Sequence, residues 1–216
     1  EAFAIARSGR PGPVLIDIPK DLQNEKIEFE YPRNPVKIPG NNIIKKPEKN
    51  KLIKAANLIN NSKKPVILAG HGILLSGASQ EIIKLAEIAS IPVTWTLLGS
   101  GGVPASHPLN MGMMGMHGEY AVNNAIQEAD LLIACGMRFD DRVTGDVSTY
   151  SLNSKKIHID IDPSSIGKNV KVDLAITSDV TELLQAVIKR FKEKNKNFIE
   201  SNKQKTAKWW SQIDKW

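Results

Sequence analysis

The chain has a single cysteine, Cys135, in 216 residues. This excludes an internal disulfide and a cysteine-based zinc site, and it fits a reducing, cytoplasmic setting. Long apolar runs are also missing. The longest, Ala129 with Leu131–Cys135 interrupted by Asp130, falls far short of the ~20 residues of a membrane-spanning helix, so no membrane segment is expected. His71, His107, His117 and His158 lack metal-ligand spacing, and no Ser-His-Asp arrangement is suggested. The adjacent Asp140 and Asp141 need not converge as a general acid and base would. No catalytic group and no metal ligand is therefore nominated. An initiating methionine is absent, and the chain opens inside a helical pattern, Glu1–Arg7, with no start signal before it, so it reads as a piece cut from a longer protein.

With 41% apolar and 24% charged residues, the composition is that of a globular protein with room for one large domain, or one domain and the edges of its neighbours. The 29 Lys and Arg against 23 Asp and Glu leave a net charge of +6. Much of the excess lies in two Lys/Asn-rich stretches, Lys45–Lys64 and Lys189–Lys208, which read as solvated helix faces. Neither holds an aromatic RNA-binding motif, a helix-turn-helix spacing or an Arg-rich groove reader, so no nucleic-acid partner is expected.

The N-terminal helix ends at the turn formers Gly9–Pro13, and the β-branched run Val14–Ile18 is expected as a strand. Residues 1–24 form one segment. Residues 25–46, with Pro32, Pro35, Pro39, Gly40 and paired Asn, read as a linker. From there helices and strands alternate. Helices are expected at Pro47–Ser62, Ser76–Ser90, Glu119–Glu128 and Val180–Lys194, and strands at Pro65–Ala69, Pro92–Thr96, Asp130–Cys135, Lys156–Ile161 and Leu174–Thr177. The domain spans 47–195, and 196–216 reads as a second linker with an apolar end at Trp209, Trp210 and Trp216. Strands that are apolar throughout, separated by amphipathic helices, predict an α/β fold: a doubly wound, Rossmann-like parallel sheet covered on both faces. Such sheets bind ligands outside the carboxyl ends of their strands.

Those ends carry suggestive chemistry. Gly70-His71-Gly72 opens toward a helix like a phosphate loop, but Leu75 stands where the dinucleotide fingerprint needs its third glycine, and no acidic residue follows about 20 positions on. The loop is equally readable as a tight strand-to-helix turn. Gly115-Met116-His117-Gly118 lets backbone approach a flat ligand, or is a Met-rich packing loop; His117 doubles as a candidate cap. Arg138-Phe139-Asp140-Asp141-Arg142 offers forked donors for phosphate or carboxylate, or is a salt-bridged loop that serves itself. Asp160 and Asp179 end strands where a carboxylate can accept from ribose hydroxyls.

Gly9-Arg10-Pro11-Gly12-Pro13-Val14 with Asp17–Asp21, Gly115–Gly118, Gly136–Gly145 and His158–Asp162 together resemble the catalytic subunits of the acetolactate synthase (acetohydroxyacid synthase) family of thiamine-diphosphate enzymes, from Glu1 to about Leu184. The first segments are shared across thiamine-diphosphate enzymes, whereas RFDDRVTG followed by HIDID is specific. The resemblance implies that residues 1–24 are the edge of a pyrimidine-binding domain and that the rest is a central FAD-binding domain. It implies FAD contacts at Arg10, Gly70, Gly72, Thr96, Leu97, Gly115, His117, Gly136, Arg138, Asp140, Arg142, Asp160, Ile161 and Asp179. It implies a substrate channel lined by Lys20, Met116, Asp141 and Arg142, the last as carboxylate partner of a second ketoacid. The family's activating glutamate and its magnesium and diphosphate motif have no counterpart here, so thiamine diphosphate and Mg2+ are expected on other domains and this piece is expected to be inactive alone. The implied partners are 2-ketoacid substrates, further copies in a homodimer or homotetramer, and a regulatory small subunit. Competing readings are another thiamine-diphosphate carboligase or a pyruvate oxidase, against which RFDDRVTG argues. A free-standing nucleotide-binding module is the third, against which the torn edge Glu1–Gln23 argues.

Overall fold

Five apolar runs become neighbouring strands because alternate residues bury on opposite sides of one sheet. In β1 (Pro65–Ala69), Ile67 and Ala69 enter one core and Val66 and Leu68 the other. In β4 (Leu131–Cys135), Leu131, Ile133 and Cys135 oppose Leu132 and Ala134 in the same way. Burial on both faces, worth about 1.5–3 kcal/mol for each large aliphatic side chain, is why these strands show no polar alternation. The computed structural model describes residues 1–31, 33, 34, 38, 46–194 and 198–216. It divides the chain into two compact units, Glu1–Ile43 and Ile44–Trp216.

The first unit holds α1 (Ala2–Arg7) and α2 (Lys20–Gln23), neither with a buried residue. The expected strand Val14–Ile18 does not form; Leu15 stands 88% exposed and Ile16 is exposed beside it. A strand takes its hydrogen bonds from a neighbour, and among the described residues this unit has none to offer. Pro32, Pro35, Pro39, Gly40 and the paired Asn of the expected linker lie outside the described residues.

The second unit runs α3 (Lys49–Asn61), β1, α4 (His71–Leu75), α5 (Ser79–Ala89), β2 (Val93–Trp95), β3 (Asn110–Met113), α6 (Tyr120–Glu128), β4, α7 (Asp141–Thr144), β5 (Lys155–Asp160), β6 (Leu174–Thr177), α8 (Val180–Lys194) and α9 (Phe198–Ile213). All strands are parallel, in the order β3-β2-β1-β4-β5-β6, which is the doubly wound arrangement expected. Strand β3 was not expected, since Asn-Met-Gly-Met has no β-branched residue. It forms by pairing with β2 through a register irregularity, with Gly112 at φ 98° and its carbonyl accepting from Thr94 Oγ1 at 2.8 Å.

The larger departure is α9, in a stretch expected as linker. Its buried residues Asn202, Thr206, Trp209 and Ile213 recur at helical spacing, but two of the four are polar, so hydropathy hides the period. Burying them requires partners, and the helix supplies them at the amino edge of the sheet. Asn202 Nδ2 donates to the Ile88 carbonyl at 3.2 Å and Trp210 Nε1 to the Ser90 carbonyl at 3.2 Å, both at the end of α5. Lys205 Nζ donates to the Asn60 carbonyl at 3.0 Å at the end of α3, and Trp209, 2% exposed, donates to Pro65 at 3.2 Å. Those of Ile88, Ser90 and Asn60 are the orphan carbonyls that a helix terminus leaves behind, and that of Pro65 opens β1. Burial among them pulls the Lys205 ammonium pKa down.

Candidate cofactor site at the carboxyl edge of the sheet

Strand order reverses between β1 and β4, and the loops leaving these two strands cross in contact. The Gly70 amide donates to the Cys135 carbonyl at 2.9 Å and the Gly72 amide to the Gly136 carbonyl at 3.0 Å. A Cβ on Gly72 would lie 2.6 Å from Gly136 Cα, and one on Gly70 would meet the Gly136 carbonyl oxygen directly. Gly136 itself sits at φ 61°, where L side chains are strained. The three glycines therefore serve a backbone crossing. Their Gly70 and Gly72 amides are bonded to protein, and α4, which starts at His71, is a single short helix.

The loop after β3 is held from beneath. Asn123 on α6 brackets Gly115, accepting from its amide at 3.0 Å and donating to its carbonyl at 2.9 Å. The Met116 amide donates to the Arg142 carbonyl at 2.9 Å, and a Cβ on Gly115, at φ 96°, would collide with that same carbonyl. This ties the Gly115–Gly118 loop to α7 and leaves Met116, 59% exposed, and His117 facing outward.

After β4 the chain alternates sharply in burial. Arg138 is exposed, Phe139 is 1% exposed at φ 52°, and Asp140 is half-buried. Arg138 Nη2 donates to Asp140 Oδ2 at 3.2 Å, with the side chains 52% and 39% exposed; such a pair contributes at most about 1 kcal/mol. Phe139 packs edge-on against Tyr150 at 6.0 Å and His158 at 5.1 Å. Its carbonyl accepts from Asn169 Nδ2 at 2.9 Å. Burial lowers the His158 pKa and pushes the Cys135 thiol up to about 12, which makes that cysteine an inert core residue.

The remaining nominated residues sit at the ends of the other strands. The Thr96 amide, after β2, donates to the Ala69 carbonyl at 3.0 Å, and Leu97 beside it is exposed. Asp160 closes β5, nearly buried, and takes the Asp162 amide at 2.9 Å, with Ile161 between them half-buried. Asp179 follows β6 and accepts from the Glu182 amide at 3.2 Å, in the manner of a cap on α8. Arg10 and Lys20 belong to the first unit, where both are exposed; Lys20 opens α2. Met116 and Asp141 border a groove of about 290 Å³ that runs along α6 past Asn123 to Tyr150, and Arg142 is exposed beside it.

Two positions that support the loops were not nominated from the sequence. Asn123 looks like an ordinary polar residue on a helix, and His158, although it opens the HIDID motif, carries no sign there of what its ring bonds. Only pairing and packing place them under the loops. Among the described residues, no three His, Cys, Asp or Glu come together to hold a metal ion, and no helix is long and apolar enough to cross a membrane.

Several known proteins are similar to this chain. The acetolactate synthase large subunit of Corynebacterium glutamicum is 46% identical over 89% of the chain and 30% of its own length. Two proteins named "Probable acetolactate synthase large subunit" stand alongside it. That of Methanocaldococcus jannaschii is 50% identical over 87% of the chain and 32% of its own length, and that of Methanococcus aeolicus 46% over 97% and 35%. The chain thus spans about a third of the length of these relatives. Residues 52–187, from α3 to within α8, match the family described as thiamine pyrophosphate enzyme, central domain. With the doubly wound sheet, this establishes that the chain belongs to the thiamine pyrophosphate enzyme family and carries its central domain.

Proposed function

We propose that the second unit is the FAD-holding central domain of an acetolactate synthase large subunit. The observation that carries this reading is positional. Every second-unit residue nominated for the cofactor lies at or just after the carboxyl end of a strand, and all six strands contribute one or more. A dinucleotide laid across the switch point would meet them together. The chemistry of the edge fits such a ligand. The Arg138 guanidinium suits the pyrophosphate, and Asp160 and Asp179 suit hydroxyl groups. Because the Gly70 and Gly72 amides are bonded to the β4 loop, recognition of phosphate rests on Arg138 and its neighbours rather than on a phosphate loop.

In this reading FAD is structural. The enzyme condenses pyruvate with a second 2-ketoacid, with thiamine diphosphate and Mg2+ held by other domains. Met116, Asp141 and Arg142 line the way of the ketoacid. The enzyme works in the cytoplasm as a homodimer or homotetramer with a small regulatory subunit. Titration of the chain with FAD, followed by flavin fluorescence, tests the cofactor assignment. Saturable binding that is lost in an Arg138→Ala, Asp160→Asn double variant is the expected result. Equal binding by a folded double variant would refute the site, and absence of binding by the folded wild type would refute the assignment of FAD to this unit.

A further inference from the structure

We infer that His158 is a positioning residue for Arg138 and Asp140, acting on the backbone before Arg138 and on the Phe139 ring between them; this rests on the cofactor reading above. Met137, the residue before Arg138, offers its carbonyl to His158 Nε2 at 2.6 Å. On the other side of the ring, the Gly167 amide donates to Nδ1 at 3.4 Å. A carbonyl only accepts and an amide only donates, so the two contacts fix a neutral ring with its proton on Nε2. The fully buried imidazole thereby clamps the loop after β4 to the loop after β5, from its place in the middle of β5.

The clamp matters because the next residue but one is strained. Phe139 holds φ 52°, a conformation that costs a non-glycine residue about 1–2 kcal/mol and persists only where its surroundings over-determine it. The surroundings here are the His158 ring edge-on at 5.1 Å, the Tyr150 ring at 6.0 Å and Asn169 on the carbonyl. The left-handed turn at Phe139 is what sends Arg138 and Asp140 outward on either side of a buried aromatic. The Met137 anchor acts from the side of Arg138 opposite the Asn169 bond to the Phe139 carbonyl, so the Arg138 backbone is held both before and after.

The test separates hydrogen bonding from ring packing. His158→Phe keeps a ring against Phe139 and removes both polar contacts, whereas His158→Gln keeps an N–H donor for Met137. Circular dichroism checks each fold, and His158→Leu replaces the Phe variant if that does not fold. FAD affinity is expected to fall about tenfold or more in the apolar variant and to stay within about threefold of wild type in His158→Gln, the scale of one buried acceptor left unpaired. An apolar variant within threefold of wild type, or a Gln variant as weak as the apolar one, overturns the inference. If folded wild type binds no FAD, the cofactor reading fails and the clamp is read instead from trypsin cleavage after Arg138. Cleavage about tenfold faster in the apolar variant alone supports it, and equal rates in all three overturn it.

Discussion

The two edges of the sheet use the same kinds of residue to opposite ends. At the amino edge, polar side chains satisfy the fold's own backbone. Asp130 accepts from Ser62 Oγ and from the Lys63 and Lys64 amides, and Lys156 is buried with its ammonium on the Ser151 and Ser154 carbonyls at 2.7 and 3.2 Å. Lys205, Asn202 and the two tryptophan N–H groups of α9 complete the ends of α3 and β1 and of α5 and its cap. At the carboxyl edge, loop-to-loop bonds and the side chains of Asn123, Asn169 and His158 hold the backbone, while Arg138, Asp141, Arg142 and His117 project outward. Charge that is consumed internally marks the structural edge, and charge turned to solvent marks the edge proposed for binding.

This contrast predicts that substitutions at the amino edge cost stability and those at the carboxyl edge cost binding. The largest effect is expected from Trp209→Ala, about 3–5 kcal/mol in urea unfolding, since it empties a core position and orphans the Pro65 carbonyl. Asp130→Ala follows at about 1.5–3 kcal/mol, the scale for hydrogen bonds to a charged group, read from the same midpoints. Acid comes next. Because burial depresses the His158 pKa below its usual 6.5, the unfolded chain takes up the proton first, with the Met137 carbonyl and then Asp160 partly opposing the shift. Its contribution is complete above pH about 6.5 and declines as pH falls through that value toward the depressed one; His158→Gln should remove that part of the slope in unfolding series from pH 7.5 to 5. The smallest effects are expected from Arg138→Ala and Asp141→Ala, within about 0.5–1 kcal/mol in thermal unfolding. A loss there as large as at Trp209 would erase the distinction between the edges.

The sequence makes the binding edge easier to read than the structural one. Strands β1, β4 and β6 announce themselves as apolar runs and β5 as a β-branched stretch, and in a parallel sheet whatever follows a strand lies at one edge, so Gly70, Arg138, Asp160 and Asp179 could be gathered without coordinates. The failures share a cause. Strand β3 exists through its pairing with β2, α9 through a half-polar buried stripe, and the His158 clamp through the register that sets it opposite Ala134. Val14–Ile18 fails in the converse way, with strand-forming residues and no strand beside them. Each depends on residues far apart in the chain, which local patterning does not contain. The Gly70–Gly72 turn belongs with these, since its glycines answer to Gly136 across the switch point.

The most direct test of the account is an amide chemical-shift map of the 15N-labelled chain on addition of FAD. The account predicts shifts gathered at the carboxyl edge, at Gly72, Gly115, Gly136, Arg138 and Asp160, with the amino-edge amides of Ser62, Ser90, Ser151 and Asn202 unmoved. Shifts centred on the amino edge, or none at saturating flavin, would contradict it.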